Sequence, residues 1–147
     1  MTGTDIPEEV RRELIQKALE VRGNAYAPYS HYKVGAALLT ADGTIVTGCN
    51  VESAAFGVGQ CAERCALTKA VSEGVREFRA IAIVAALDSA LDLAREPYPT
   101  PCGACRQALR EFVDPERFPV LMARSLDDVR IMTLEELRPV SFGPSAL

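Results

Sequence analysis

The chain has 147 residues, with 16 Lys and Arg against 20 Asp and Glu and a formal net charge of −4. That length predicts one domain over 1–147, and 48% apolar residues are enough for a buried core. A single His31 excludes sites built on two or three histidines. The acidic balance argues against a nucleic-acid partner, and no apolar run reaches the ~18 residues of a membrane span.

The opening stretch MTGTDIPEEVRREL is polar and acidic. It lacks the basic start and apolar run of a signal peptide, so a cytoplasmic location is expected. In that reducing compartment five cysteines mean ligands, a redox pair or buried thiols rather than disulfides.

A helix is predicted from Pro7 to Val21, with Pro7, Glu8 and Glu9 in its first turn and Val10, Leu14, Ala18 and Val21 on one apolar stripe. Gly23 and Asn24 end it. Strands near 33–40 and 44–50 flank Asp42-Gly43, a hairpin signal. A second helix runs through CAERCALTKAVSEG to Gly74, and the apolar run 79–87 predicts a strand buried on both faces. A loop with Pro97, Pro99 and Pro101 follows, then a helix in GACRQALREFV. Strands at 119–123 and 129–133 and a short helix at 134–137 complete the order α β β α β α β β α. That order predicts an α/β fold with a partly parallel sheet and helices on its faces. No internal repeat or low-complexity tract is present.

The cysteines stand at 49, 61, 65, 102 and 105. Cys61 and Cys102 each open a predicted helix, where partial positive charge and unpaired amides favour a thiolate. Thiolates in tetrahedral array suit Zn²⁺. Four readings are open: a structural four-cysteine zinc domain on Cys61, Cys65, Cys102 and Cys105, a catalytic three-cysteine zinc, a redox pair at Cys102 and Cys105, or plain buried thiols. Glu63 favours the second. In the first turn of its helix it can point into the same cavity as the metal, and C-A-E followed by P-C-G-A-C is the all-cysteine form of the zinc deaminase constellation.

With these pieces the chain resembles the small, homotetrameric, zinc-dependent cytidine deaminases from about Glu8 to Pro144. The resemblance rests on YAPYSHYKVGAAL (26–38), GCNVES (48–53), CAER (61–64), PCGACRQ (101–107) and SFGP (141–144). It implies a three-layer α/β/α sandwich on a five-stranded mixed sheet. The implied reaction is hydrolytic deamination of cytidine and 2′-deoxycytidine to uridine and 2′-deoxyuridine, with release of ammonia, in pyrimidine salvage. By resemblance, Cys61, Cys102 and Cys105 hold one Zn²⁺ per subunit and leave a fourth position for an acidified water. Glu63 carries protons from that water to ring N3 and then to the leaving amine.

Three thiolates leave the site with excess negative charge. Arg64 and Arg106, beside the ligands in sequence, are therefore expected to donate, one or both, to cysteine sulfurs. Asn50 and Glu52, two apart on an extended segment, point the same way and by resemblance grip the ribose 3′-hydroxyl. Tyr32 and Phe56 are expected near the base, and Phe142 is expected to reach a neighbouring subunit's base, so active sites would be shared. Core packing is the competing reading for each aromatic. Cys49 and Cys65 read as buried thiols, and His31 as a structural or rim residue.

Several positions depart from the pattern. Tyr32 and Phe56 exchange the usual aromatic, Ser53 replaces Asn, and Gly59-Gln60 precede the first ligand. The loop 87–100 is longer than usual and lies just before two ligands. These changes bear on substrate range and keep open a related deaminase of blasticidin S or an N4-modified cytidine. The partner expected is a free nucleoside, with no nucleic acid and no membrane.

Overall fold

The computed structural model describes residues 6–147; the first five residues of the polar opening stretch lie outside it. In chain order it has α1 (Glu8–Arg22), β1 (Tyr32–Thr40), β2 (Ile45–Cys49), α2 (Ala62–Ser72) and β3 (Phe78–Leu87), then α3 (Gly103–Arg110), β4 (Pro119–Ala123), β5 (Val129–Thr133) and α4 (Leu134–Leu137). The element order matches the expected one. The largest shift is at α3, which stops at Arg110 rather than Val113.

The five strands form one sheet in the order β2-β1-β3-β4-β5. Only β3 and β4 pair in parallel, so the sheet is mixed. β3 lies at its centre and alternates cleanly between the two faces. Ile81 and Ile83 pack with Ala36, Leu38, Val120 and Met122 beneath α2 and α3. Ala80, Ala82 and Val84 pack with Ala37, Leu39 and Leu121 beneath Leu14, Ile15 and Ala18 of α1. A strand covered on both faces must be apolar at every position, which is why its sequence reads as one unbroken run. The result is the expected three-layer α/β/α sandwich.

Two glycines set the layer spacing. A Cβ at Gly35 of β1 would lie 2.0 Å from the Ala18 carbonyl oxygen of α1. A Cβ at Gly48 of β2 would lie 2.5 Å from Ala66 N and 2.6 Å from the Ala62 carbonyl oxygen of α2. The helices therefore rest on bare strand backbone. Gly48→Ala is expected to destabilise the fold by about 3 kcal/mol, because backbone rather than a flexible side chain must move. The shift in the urea midpoint at constant slope measures it.

The hairpin between β1 and β2 turns as expected, with Gly43 at φ 92° and Thr40 Oγ1 donating to Asp42 Oδ1 at 2.5 Å. His31 also has positive φ, 59°. Its carbonyl accepts from Asp88 N, tying the start of β1 to the loop after β3.

Candidate active site

α2 enters β3 antiparallel to the strand, and α3 begins after the loop that leaves β3. Both helix N-termini therefore meet at one end of the sheet. Cys61 and Cys102 are the N-cap residues of α2 and α3, both extended, with φ −72° and −68°. Cys105 lies in the first turn of α3 and is fully buried. The Cys61 and Cys102 sulfurs are 3.9 Å apart, and those of Cys102 and Cys105 are 3.5 Å apart. All three lie within 4.8 Å of one another.

The three thiols perturb one another. Hydrogen bonding from Cys105, with Arg64 and Cys102, holds the Cys61 thiol down at about 5 despite partial burial. The same contact with Cys61, together with burial and the charge of Glu63, pushes Cys105 upward. Three convergent sulfurs at two helix N-termini are a donor set that fits tetrahedral zinc with one position left for a non-protein ligand. Cys65 is outside the group. It faces β2, where its Cβ lies against Gly48, so the four-cysteine arrangement is not formed.

Glu63 is 5% exposed, in the first turn of α2 as expected. Burial pushes its carboxyl up to about 7, and the neighbouring Cys61 charge adds to this. A carboxyl near that value can both accept and give up a proton at neutral pH. Arg64 Nη2 donates to Cys61 Sγ at 3.7 Å. Its Nε is buried without a partner among the described residues.

Arg106 does not follow the expectation. Its Nε donates to the Pro101 carbonyl at 2.7 Å and its Nη1 to the Leu137 carbonyl. Its side chain bridges the loop before α3 and the last residue of α4, so it secures the loop before Cys102 instead of a sulfur. One arginine, Arg64, supplies the sulfur contact.

Asn50 and Glu52 do share one side of an extended segment. Val51 between them pairs with Tyr26 and Gln60. Asn50 Oδ1 accepts from Val34 N at 2.9 Å, and Nδ2 donates to the Tyr32 carbonyl at 2.8 Å. Each amide atom retains one further hydrogen-bonding position. Glu52 accepts from Tyr29 N and Ser30 N at 3.0 and 3.1 Å and from the Ser30 hydroxyl. The Ser30 hydroxyl first, then the backbone donors, hold its carboxyl below the usual range. Ser30 went unassigned in the sequence reading. The Y-S-H turn preceding β1 was its only local signal.

A cavity of about 260 Å³ contains Tyr32, Asn50, Glu52, Cys61, Glu63 and Cys102, walled by Pro99 and Thr100. It shares Ser30, Asn50, Glu52 and Cys61 with an adjoining cavity of about 520 Å³ that reaches Phe56 and Gln60. Tyr32 is thus beside the Glu63 carboxyl, and burial raises its hydroxyl pKa. Phe56 is 94% exposed, which removes the core reading and leaves it at the outer rim. Phe142 is outside its own chain's cleft. Gln107 Nε2 donates to its carbonyl, and its ring is 59% exposed.

An α/β/α sandwich bearing a three-cysteine zinc set and a buried glutamate at two facing helix starts defines a zinc-dependent deaminase. Residues 8–122 match the family model described as the cytidine and deoxycytidylate deaminase zinc-binding region. The chain is 44% identical to a cytidine deaminase of Halalkalibacterium halodurans over 132 residues, 90% of this chain and 93% of that one. It is 42% identical to the Sporosarcina psychrophila cytidine deaminase, covering 92% and 93%. The crystal structure of the Burkholderia pseudomallei cytidine deaminase superposes with a TM-score of 0.76 at 43% identity, over 88% of this chain and 97% of that one. The chain belongs to the cytidine deaminase family.

Proposed function

We propose that this protein hydrolyses cytidine and 2′-deoxycytidine to uridine and 2′-deoxyuridine with release of ammonia, acting in pyrimidine salvage. The observation that carries the reading is the placement of Glu63. It is buried beside three cysteine sulfurs, in a cleft that continues to Asn50 and Glu52. Cys61, Cys102 and Cys105 would hold zinc, which would supply the Lewis acidity that makes a water nucleophilic near neutral pH. Glu63 takes a proton from the attacking water and delivers it to ring N3, so that oxygen can add at C4. It then takes the proton of the new C4 hydroxyl and gives it to N4; the C4–N4 bond breaks as the C4 carbonyl forms, and ammonia leaves. One carboxyl serves each transfer because burial keeps it near neutrality. Arg64 draws charge from Cys61 Sγ. Asn50 and Glu52 accept the sugar hydroxyl, with Glu52 already oriented by Ser30. Tyr32 borders the base.

A free nucleoside is favoured over a nucleotide. The residues lining both cavities include Glu52 and Glu63 but no Lys, Arg or His. A phosphate would meet carboxylates with no cation to offset them. The whole chain, 1–147, works as one domain. It assembles as a homotetramer in which Phe142, exposed in the isolated chain, closes a neighbour's cleft. No described helix is long and apolar enough to cross a membrane. We place the protein in the cytoplasm and assign it no nucleic-acid or membrane partner.

An absorbance assay with parallel ammonia measurement tests the reading. Cytidine and 2′-deoxycytidine should each release one ammonia per uridine product, and the 5′-monophosphates should show kcat/KM about a hundredfold lower. Faster turnover of blasticidin S, or of the monophosphates, would overturn the assignment.

A further inference from the structure

The long loop between β3 and α3 carries one wall of the cleft, yet the chemistry above does not use what holds it. Three side chains outside the cleft do so. Tyr98 donates its hydroxyl to Asp128 Oδ1. Arg124 Nη2 donates to the Tyr98 hydroxyl at 3.0 Å, its Nε to Asp128 Oδ2 at 2.9 Å and its Nη1 to the Glu96 carbonyl at 3.2 Å. The guanidinium carbon also lies 4.0 Å from the Tyr98 ring centroid. Arg124 and Asp128 bracket the turn between β4 and β5, and Arg124 N closes that turn on the Asp128 carbonyl. The ion pair's side chains are 24% and 33% exposed, so water screens it less than an open surface pair.

The wall begins one residue beyond this anchor. Pro99 and Thr100 line the cavity that holds Glu63 and Cys102. Proline at 99 and 101 fixes φ at two of the three positions between Tyr98 and Cys102. The far end is held separately, by Arg106 on the Pro101 carbonyl. A short, stiff strap fastened at both ends transmits the position of its anchor to the wall.

We propose that Tyr98, Arg124 and Asp128 form a clamp that positions the Pro99–Thr100 wall against the substrate and so sets substrate affinity. None of the three lines either cavity, so they are positioning residues. The clamp acts on the segment that joins β3 to α3, the helix that Cys102 caps. The affinity claim rests on the cytidine reading of the site.

Arg124→Leu and the milder Tyr98→Phe test it in the zinc-loaded full chain. Arg124→Leu should raise KM for cytidine about tenfold with kcat within about twofold, and Tyr98→Phe should raise KM by less. Zinc content should be unchanged, because Cys102 and Cys105 are carried by α3. The NMR order parameter of the Thr100 amide should fall in both variants. Unchanged KM with a lowered melting temperature would overturn the clamp, because the network would then serve only stability. A joint fall in kcat and zinc content would overturn it in favour of a role in holding the metal ligands. If the wild type does not turn over cytidine, the functional reading fails. The clamp then stands or falls on the Thr100 order parameter alone: a fall upholds the mechanical link, and no change refutes it. If Arg124→Leu does not fold, Tyr98→Phe carries the same readouts with the ring still packed.

Discussion

Glu63→Gln is expected to lower cytidine turnover by about ten-thousandfold, at the upper end of what a single general acid–base group contributes. The size follows from the number of tasks placed on one side chain. In the proposed reaction Glu63 handles the proton of water, of N3 and of the leaving amine, and no second carboxyl is positioned to share them. Glu52 lines the same cavity, but Tyr29 N, Ser30 N and the Ser30 hydroxyl take three of its roughly four acceptor positions, leaving one for the sugar and none for proton transfer. The pKa shifts separate the two further. Burial raises Glu63 to about 7, whereas Ser30 first and then the backbone donors lower Glu52. A glutamine is isosteric, so the sulfur set should stay in place and zinc content should remain one per chain. Single-turnover rates and metal analysis on the same sample check both halves. Retained activity with retained zinc would refute the shuttle.

Cys105→Ala should abolish both zinc retention and turnover, whereas Cys65→Ala should spare both. Cys105 is fully buried and within reach of both other sulfurs. Its loss leaves two protein donors, and the affinity penalty should exceed the roughly 10–100-fold that follows loss of an outer hydrogen-bond partner. Metal ligation is also folding energy, because the unfolded chain holds no such site. The variant should therefore melt at the temperature of the chelator-treated wild type, and chelator should change it no further. Cys65 sits one helical turn from Cys61 but on the side of α2 facing Gly48. Loss of zinc in Cys65→Ala would restore the four-cysteine arrangement and remove the open coordination position that hydrolysis requires.

Much of this was legible in the chain itself, for local reasons. β3 declares itself because a strand covered on both faces has nowhere to place polar residues. The three cysteines and Glu63 declare themselves because two helix starts confine them to short spacings. That Asn50 and Glu52 share a side follows from period-two alternation, which the pairing of Val51 preserves, whereas their sugar role follows only from the resemblance. What stayed hidden involves partners far apart in sequence. Arg64 and Arg106 each stand within three residues of a ligand, yet one meets a sulfur and the other meets the carbonyl of Leu137, 31 residues away. No spacing rule distinguishes them, because the direction of α3 relative to α4 decides the outcome. The clamp on Tyr98 was invisible for the same reason: its partners are 26 and 30 residues further on. The end of α3 at Arg110 was also overrun, since apolar residues continue to Val113 after the helix has stopped.

Gly35 and Gly48 bear on where this protein can change. With helix backbone pressed directly onto bare strand on opposite faces of the sheet, the middle of the molecule has no room for side-chain novelty. Variation in substrate range must be directed outward, to the segments 53–60 and 88–100 that rim the cleft without carrying the layers. A mutagenesis library aimed at new nucleosides would do best confined to those two rims.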